Sequence, residues 1–255
     1  MLRNIKHLLP IWQLLLYKIF CFFEDIGNVI KFLFNKKHNL SLTQRFFIIR
    51  RLYIISFKIE CLHTQTEILS FIKAILSVPK HIKGHIVEAG TFKGGSAAKF
   101  SIAAKIVNRK LIVFDSFKGL PENVRLHKDI FGKYAYFKKG RYCGTLEEVK
   151  KNIAKYGNLG SCIFVKGFFK KTMPNFSEPI AALFLDVDLA SSTRTCLKYL
   201  YPLLAPGAVL FSHDGHLPYV IEIYENDSFW RKIGYIKPQI LGIREKKLIK
   251  IIKPN

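Results

Sequence analysis

The spacing of apolar residues changes character near residue 80. Over 41–78 apolar positions recur every three to four residues, most clearly from Thr64 to Ser77 (TQTEILSFIKAILS). This predicts two helices, the first capped by Ser41 or Thr43. Beyond Pro79 and Gly84, short apolar runs alternate with helical stretches. HIVEAG precedes a helix over about 95–107, KLIVFDS follows, and a second helix is predicted at about 145–156. CIFVKG and IAALFLDVD then lead to a helix at about 191–203, AVLFSHDG and a helix near 218–230. PQILGI and KLIKII close the chain as an antiparallel hairpin at one edge. Such alternation predicts an α/β fold: a mostly parallel sheet with helices on both faces. The expected organisation is a helical N-terminal extension over 1–80 and one α/β domain over 81–255.

The first 35 residues begin with a basic end and an apolar stretch, as a signal peptide does, but Lys18, Glu24 and Asp25 interrupt it and no small-residue cleavage site follows. The uncharged run from His7 to Tyr17 is too short to cross a bilayer. A basic, aromatic-rich amphipathic segment over about 8–35 remains. It either lies on a membrane surface or packs on the core or on a partner subunit, so the extension is a lid, a dimer surface or a membrane contact.

With 255 residues, 49% hydrophobic and 23% charged, the chain can bury a sizeable core, which excludes a disordered tail or a fibrous repeat. The net charge of +23 admits nucleic acid, an anionic membrane or simply a basic composition as explanations. Residues 1–80 carry 12 basic and 4 acidic side chains, and residues 81–255 carry 29 and 14. So even a spread argues against a localised nucleic-acid stripe. The five cysteines are far apart with no CxxC, which suits reduced thiols in a cytoplasmic setting and neither a disulfide framework nor a zinc ribbon.

The sharpest local signal is Val87-Glu88-Ala89-Gly90-Thr91-Phe92-Lys93-Gly94-Gly95-Ser96, an apolar strand that ends in a glycine-rich turn opening a helix. Gly90, Gly94 and Gly95 allow a tight turn and a close ligand. The spacing is not GxGxxG and no Walker Lys-Ser/Thr follows, which weakens the NAD and P-loop readings. Asp115 ends the next strand, where a carboxylate can accept hydrogen bonds from both hydroxyls of a ribose; a capping role is its other reading. Glu88, directed into the same crevice, suits a cationic ligand such as the amino group or sulfonium of S-adenosylmethionine.

Asp115-Ser116-Phe117-Lys118-Gly119-Leu120-Pro121-Glu122 closely resembles the DSFEGLP signature of the macrocin O-methyltransferase family, class I S-adenosylmethionine-dependent enzymes. Further strings match in the same order: Gly140 with Thr145 to Val149, Phe164 to Pro174, Leu185 to Leu189 with Ser192-Thr193, and Leu200 to Gly207. The resemblance covers about 84–230. It implies a Rossmann-like, seven-stranded sheet with the cofactor across the strand tips. It assigns Glu88, Gly90, Thr91 and Ser96 to the methionine end, Asp115 to the ribose, and Ser116 and Gly167 to the neighbourhood of the adenosine. It also implies a divalent metal that holds the acceptor hydroxyl near the methyl group.

Family members place an acid after the fourth strand and an Asp-Asp pair after the fifth. Here the fourth strand ends in Asp186 with Asp188 two residues on, and the fifth in Ser212-His213-Asp214-Gly215-His216. His213 therefore stands where the first acid of the pair is expected. Asp186, His213 and Asp214 still make a credible open metal site, and a nitrogen ligand shifts preference from magnesium toward manganese, iron or zinc. Alternatively the metal is lost and His213 or His216 acts as general base. With the metal retained, His216 or Asp188 handles the proton. The expected activity is O-methylation of a sugar or another small hydroxylated acceptor. The rival is a catalytically altered Rossmann-fold protein that binds a polyanion or an anionic membrane. Nucleic-acid methylation is suggested by charge alone, because the chain has no N/D-P-P-Y/F motif.

Overall fold

The computed structural model describes residues 25–35, 38–123, 127–135 and 137–254. Residues 8–24 of the amphipathic N-terminal segment lie outside them. Residues 25–34 form a helix (α1), followed by α2 (Leu42–Lys58) and α3 (Gln65–Leu76). Ser41, not Thr43, caps α2 in a reciprocal box with Gln44, and Thr64 does the same for α3 with Glu67. The Asp25 carboxylate accepts the amide N–H groups of Gln65 and Thr66, each at 2.9 Å. It thus satisfies orphan donors in the first turn of α3 and ties α1 to it.

The strands and helices beyond follow the alternation of the sequence. They are β1 (His85–Ala89), α4 (Gly95–Ile106), β2 (Leu111–Asp115), β3 (His127–Lys128), β4 (Tyr134–Ala135), α5 (Leu146–Tyr156) and β5 (Cys162–Lys166). The rest are α6 (Phe169–Thr172), β6 (Ile180–Leu185), α7 (Ala190–Leu200), β7 (Leu204–Ser212), α8 (Pro218–Glu225), α9 (Asp227–Lys232), β8 (Ile240–Leu241) and β9 (Ile249–Ile252). The single helix expected near 218–230 is two, because the Asn226 side chain accepts the Phe229 amide and starts a new helix.

Seven strands form one sheet in the order β5-β2-β1-β6-β7-β9-β8. The first five are parallel; β9 runs against β7, and β8 against β9. The closing pair is antiparallel as expected, with its second strand inserted between β7 and β8. Side chains alternate faces. Ile86, Val113 and Phe184 join a core with α1 to α5, while Val87, Ile112, Leu183 and Leu210 join one with α7 to α9. The N-terminal helices therefore cover one face of the sheet itself, with Phe71 packed on Phe100, Phe184 and Phe211. No helix among the described residues is long and apolar enough to cross a membrane.

Candidate active site

The parallel strands end together at their carboxyl edge, where strand order reverses between β1 and β6, the usual place for a ligand crevice in such sheets. The turn after β1 is stitched to both neighbours. The Gly90 N–H donates to the Phe114 carbonyl at 2.9 Å, and the Asp186 N–H donates to the Ala89 carbonyl at 3.0 Å. Gly90 adopts φ +84° and passes so close to β6 that an added Cβ would lie 1.9 Å from the Asp186 carbonyl oxygen. Gly94 (φ +82°) then starts α4 without any side-chain cap, so the first-turn amides of α4 have no such partner.

Asp115 is fixed beside this turn. One carboxylate oxygen accepts the Thr91 N–H at 2.8 Å and the other the Phe117 N–H at 2.7 Å. Each retains further acceptor capacity, so the role of turn clamp and that of diol acceptor are compatible. Glu88 lies beneath, with 0% exposure and neither carboxylate oxygen hydrogen-bonded. Burial pushes its carboxyl up to about 8, only partly opposed by the nearby Ser96 and Thr91 hydroxyls and His63. A buried carboxylate without a donor is what a site for a cationic, hydrogen-bonding group leaves when described alone.

A cavity of about 1650 Å³ opens above these residues. A drug-sized ligand occupies a pocket of roughly 300–1,000 Å³, so there is room for a cofactor and an acceptor together. Gly90, Thr91, Gly95, Ser96, Asp115 and Ser116 line it, with Asp186, Asp188, His213, Asp214 and His216 from the tips of β6 and β7. Glu88, expected to point into the crevice, is not on the wall but buried behind it, and Gly94 and Gly167 are not on the wall either. Gly167 instead donates its N–H to the Asp115 carbonyl at 2.9 Å, tying β5 to β2. The segment carrying β3 and β4 contributes Phe131, Tyr134, Phe137, Arg141 and Tyr142 as an aromatic cover.

Opposite the glycine turn, Asp186, Asp188 and Asp214 place one carboxylate oxygen each within 4.8 Å of one another. Asp188 is held at φ +58°, a left-handed conformation costly for a non-glycine residue. Its amide and that of Val187 both donate to Asp214 Oδ2, at 3.1 and 2.9 Å. Burial and the two neighbouring carboxylates push Asp188 well above the usual carboxylate range, and burial with Asp186 raises Asp214 to about 7. Burial works on Asp186 in the same direction, but His213 and His63 outweigh it and hold that group low. Crowded acids of this kind fit a divalent cation, which removes the repulsion that raises them.

A second set shares Asp186. His63 Nε2 lies 3.0 Å from Asp186 Oδ2, and His213 Nδ1 lies 3.3 Å from Oδ1. His213 Nε2 faces Glu67 Oε1 at 3.3 Å. Of the expected ligands, Asp186 thus belongs to both groups, Asp214 to the carboxylate group and His213 to the imidazole group. His63, Glu67, Cys61 and Tyr142 were not anticipated. The visible signal was the Thr64-x-x-Glu67 capping box, which fixes the turn carrying His63 and engages Glu67 Oε2 with the Thr64 N–H at 2.7 Å. His216 lies at the cavity edge beside Phe131, and burial with Lys247 lowers it to about 4.

The profile described as Macrocin-O-methyltransferase (TylF) matches residues 67–232. Over 148 residues the chain is 31% identical to the 8-demethyl-8-(2,3-dimethoxy-alpha-L-rhamnosyl)-tetracenomycin-C 4'-O-methyltransferase of Streptomyces olivaceus, covering 52% of this chain and 53% of that protein. Over 146 residues it is 29% identical to the demethyldecarbamoylnovobiocin O-methyltransferase of Streptomyces niveus, covering 54% and 55%. The chain spans about half the length of the curated relatives it matches. Among solved structures, the O-methyltransferase NovP superposes with a TM-score of 0.60 at 23% identity, covering 74% of this chain and 81% of that one. The calicheamicin methyltransferase CalS11 gives 0.58 at 18%, covering 90% and 91%. These likenesses show the Rossmann-like methyltransferase fold.

Proposed function

Because the chain belongs to the macrocin O-methyltransferase family, we propose that it methylates a hydroxyl of a sugar or another small hydroxylated acceptor, using S-adenosylmethionine and a divalent cation. The observation that carries this reading is one crevice that brings the glycine turn and Asp115 together with the Asp186–Asp188–Asp214 group, with the orphaned Glu88 carboxylate buried directly behind the turn. The sugar as acceptor draws support from the rhamnosyl group in the name of the Streptomyces olivaceus relative.

When bound, the cofactor supplies a methyl group on a sulfonium leaving group, and the cation supplies positive charge that makes an acceptor hydroxyl easier to deprotonate. Asp186, His213 and Asp214 would hold the cation. Glu88 binds the cationic end of the cofactor and Asp115 its ribose, while Gly90 and Ser96 let the methionine end approach the backbone. Asp188 receives the acceptor proton on a carboxylate oxygen, since its left-handed turn holds it inside the cavity against Asp214. His216 orients the acceptor by hydrogen bonding. Phe131, Phe137 and Tyr142 exclude water, so that oxygen and methyl are held in line.

Calorimetry with S-adenosylmethionine tests the cofactor half: saturable binding in the native chain and its loss in Asp115→Ala are expected. Methyl transfer from labelled cofactor to a panel of sugars, with and without chelator, tests the rest. Absence of cofactor binding in the folded native chain would refute the reading, and activity indifferent to chelator would remove the cation from it.

A further inference from the structure

The imidazole group at Asp186 has the parts of a metal site that the carboxylate group lacks. His63, Asp186 and His213 bring one ligand atom each within 4.8 Å of one another, and all three line the cavity, so coordination positions are left open on its side. The His63 and His213 rings are 4.5 Å apart, tilted rather than stacked. His63 Nε2 is buried and aimed at Asp186 Oδ2, yet it lies off the line a hydrogen bond needs. An imidazole nitrogen and a carboxylate oxygen facing one another without a hydrogen bond can be drawn together by a shared cation that takes the place of a ring proton.

The outer contacts point the same way. A ligating histidine commonly gives its second ring nitrogen to an anionic or carbonyl partner, which fixes its orientation and strengthens its donor atom. Here His213 turns Nδ1 to Asp186 and Nε2 to Glu67 Oε1, and Glu67 is itself anchored by the cap of α3. His63 turns Nε2 to Asp186 and Nδ1 to Cys61 Sγ at 3.5 Å, with Lys99 Nζ a further 3.5 Å behind the sulfur. Each imidazole thus has behind it a group that the transfer reaction does not use: Cys61 hydrogen-bonded to His63, and the Glu67 carboxylate close to His213.

We propose that His63, Asp186 and His213 form a nitrogen-rich site for a borderline divalent transition ion. In it His63, carried by the turn before α3 and outside the residues matched by the family profile, is a ligand. Two imidazoles and one carboxylate with open positions suit iron, cobalt, zinc or manganese, whereas magnesium favours an all-oxygen shell. The proposal rests on the metal-assisted reading in placing the cation at Asp186 and His213, and it puts His63 among the ligands where that reading has Asp214.

The test strips the full chain with chelator and titrates it with Co2+, followed by visible absorption and by calorimetry. One bound Co2+ per chain is expected, displaced by Zn2+ but not by a hundredfold excess of Mg2+. Proton NMR of the native Co2+ protein should show two exchangeable, hyperfine-shifted imidazole N–H signals, one for each histidine. His63→Gln should abolish one signal and weaken Co2+ at least tenfold, while Glu67→Gln, acting from behind His213, should weaken it by about 10–100-fold. A single imidazole signal, or Co2+ affinity unchanged in folded His63→Gln, overturns the proposal, and the NMR count needs no variant to fold. Two signals in a chain that fails to bind S-adenosylmethionine would uphold this site while refuting the methyltransferase reading.

Discussion

Gly90→Ala should be the most damaging single-methyl change in the crevice. Two separate effects add. Alanine at φ +84° enters the left-handed region, which costs about 1–2 kcal/mol. The new methyl also lies 1.9 Å from the Asp186 carbonyl oxygen, so backbone must move, and forced overpacking typically costs about 1–3 kcal/mol. The expected loss is therefore about 2–5 kcal/mol. Gly140→Ala isolates the first effect, because Gly140 has φ +77° with no atom within 4 Å of an added Cβ, and the difference between the two variants gives the second. That control should lose only about 1–2 kcal/mol. Urea unfolding gives both values, and calorimetry with S-adenosylhomocysteine gives the functional consequence, since the displaced carbonyl belongs to Asp186. Equal destabilisation by the two variants, or unchanged ligand affinity in Gly90→Ala, would show that the close approach of the turn to β6 has no energetic meaning.

Glu88→Gln should stabilise the ligand-free chain and weaken cofactor binding. The folded carboxyl is raised to about 8 from an ordinary 4.5, so its contribution to stability is full below the unfolded value and is lost as pH rises toward 8. Unfolding measured across that window should decline in the native chain by on the order of a few kcal/mol and be flatter in the variant; parallel curves would refute the burial argument. Thr64→Ala and Ser41→Ala each remove an N-cap worth about 1 kcal/mol. Only the first should also depress methyl transfer, because its cap fixes the turn bearing His63 and the Glu67 carboxylate; matching activity losses would detach that turn from the chemistry. Adding EDTA during turnover should stop methyl transfer, and Mn2+ or Co2+ in excess should restore it more fully than Mg2+.

How much of this could be read in advance depended on the range of the contacts involved. The sheet was legible because each strand is a short apolar run whose polar end marks the carboxyl edge. That is why Glu88 and Asp115 could be named from their strands, while Asp186 and Asp214 were named from the resemblance to the family pattern. The break between α8 and α9 has a local cause too, the Asn226 cap, but apolar periodicity continues across it in Val220, Ile223, Phe229 and Trp230 and conceals it. His63 is different in kind. Its own neighbourhood predicts only the start of a helix, and nothing within ten residues indicates that this turn lies over the tip of β6, 123 positions later. The substitution at His213 was visible as a departure from the family pattern, yet its meaning was not. An isolated histidine in place of an acid admits a site for manganese, iron or zinc, or a lost metal with the histidine as base. A histidine close to Glu67, and facing His63 across Asp186, favours the metal and offers it a second nitrogen. Long-range packing of α3 on the sheet is therefore what brings Glu67 and His63 to a histidine that the sequence shows only in isolation.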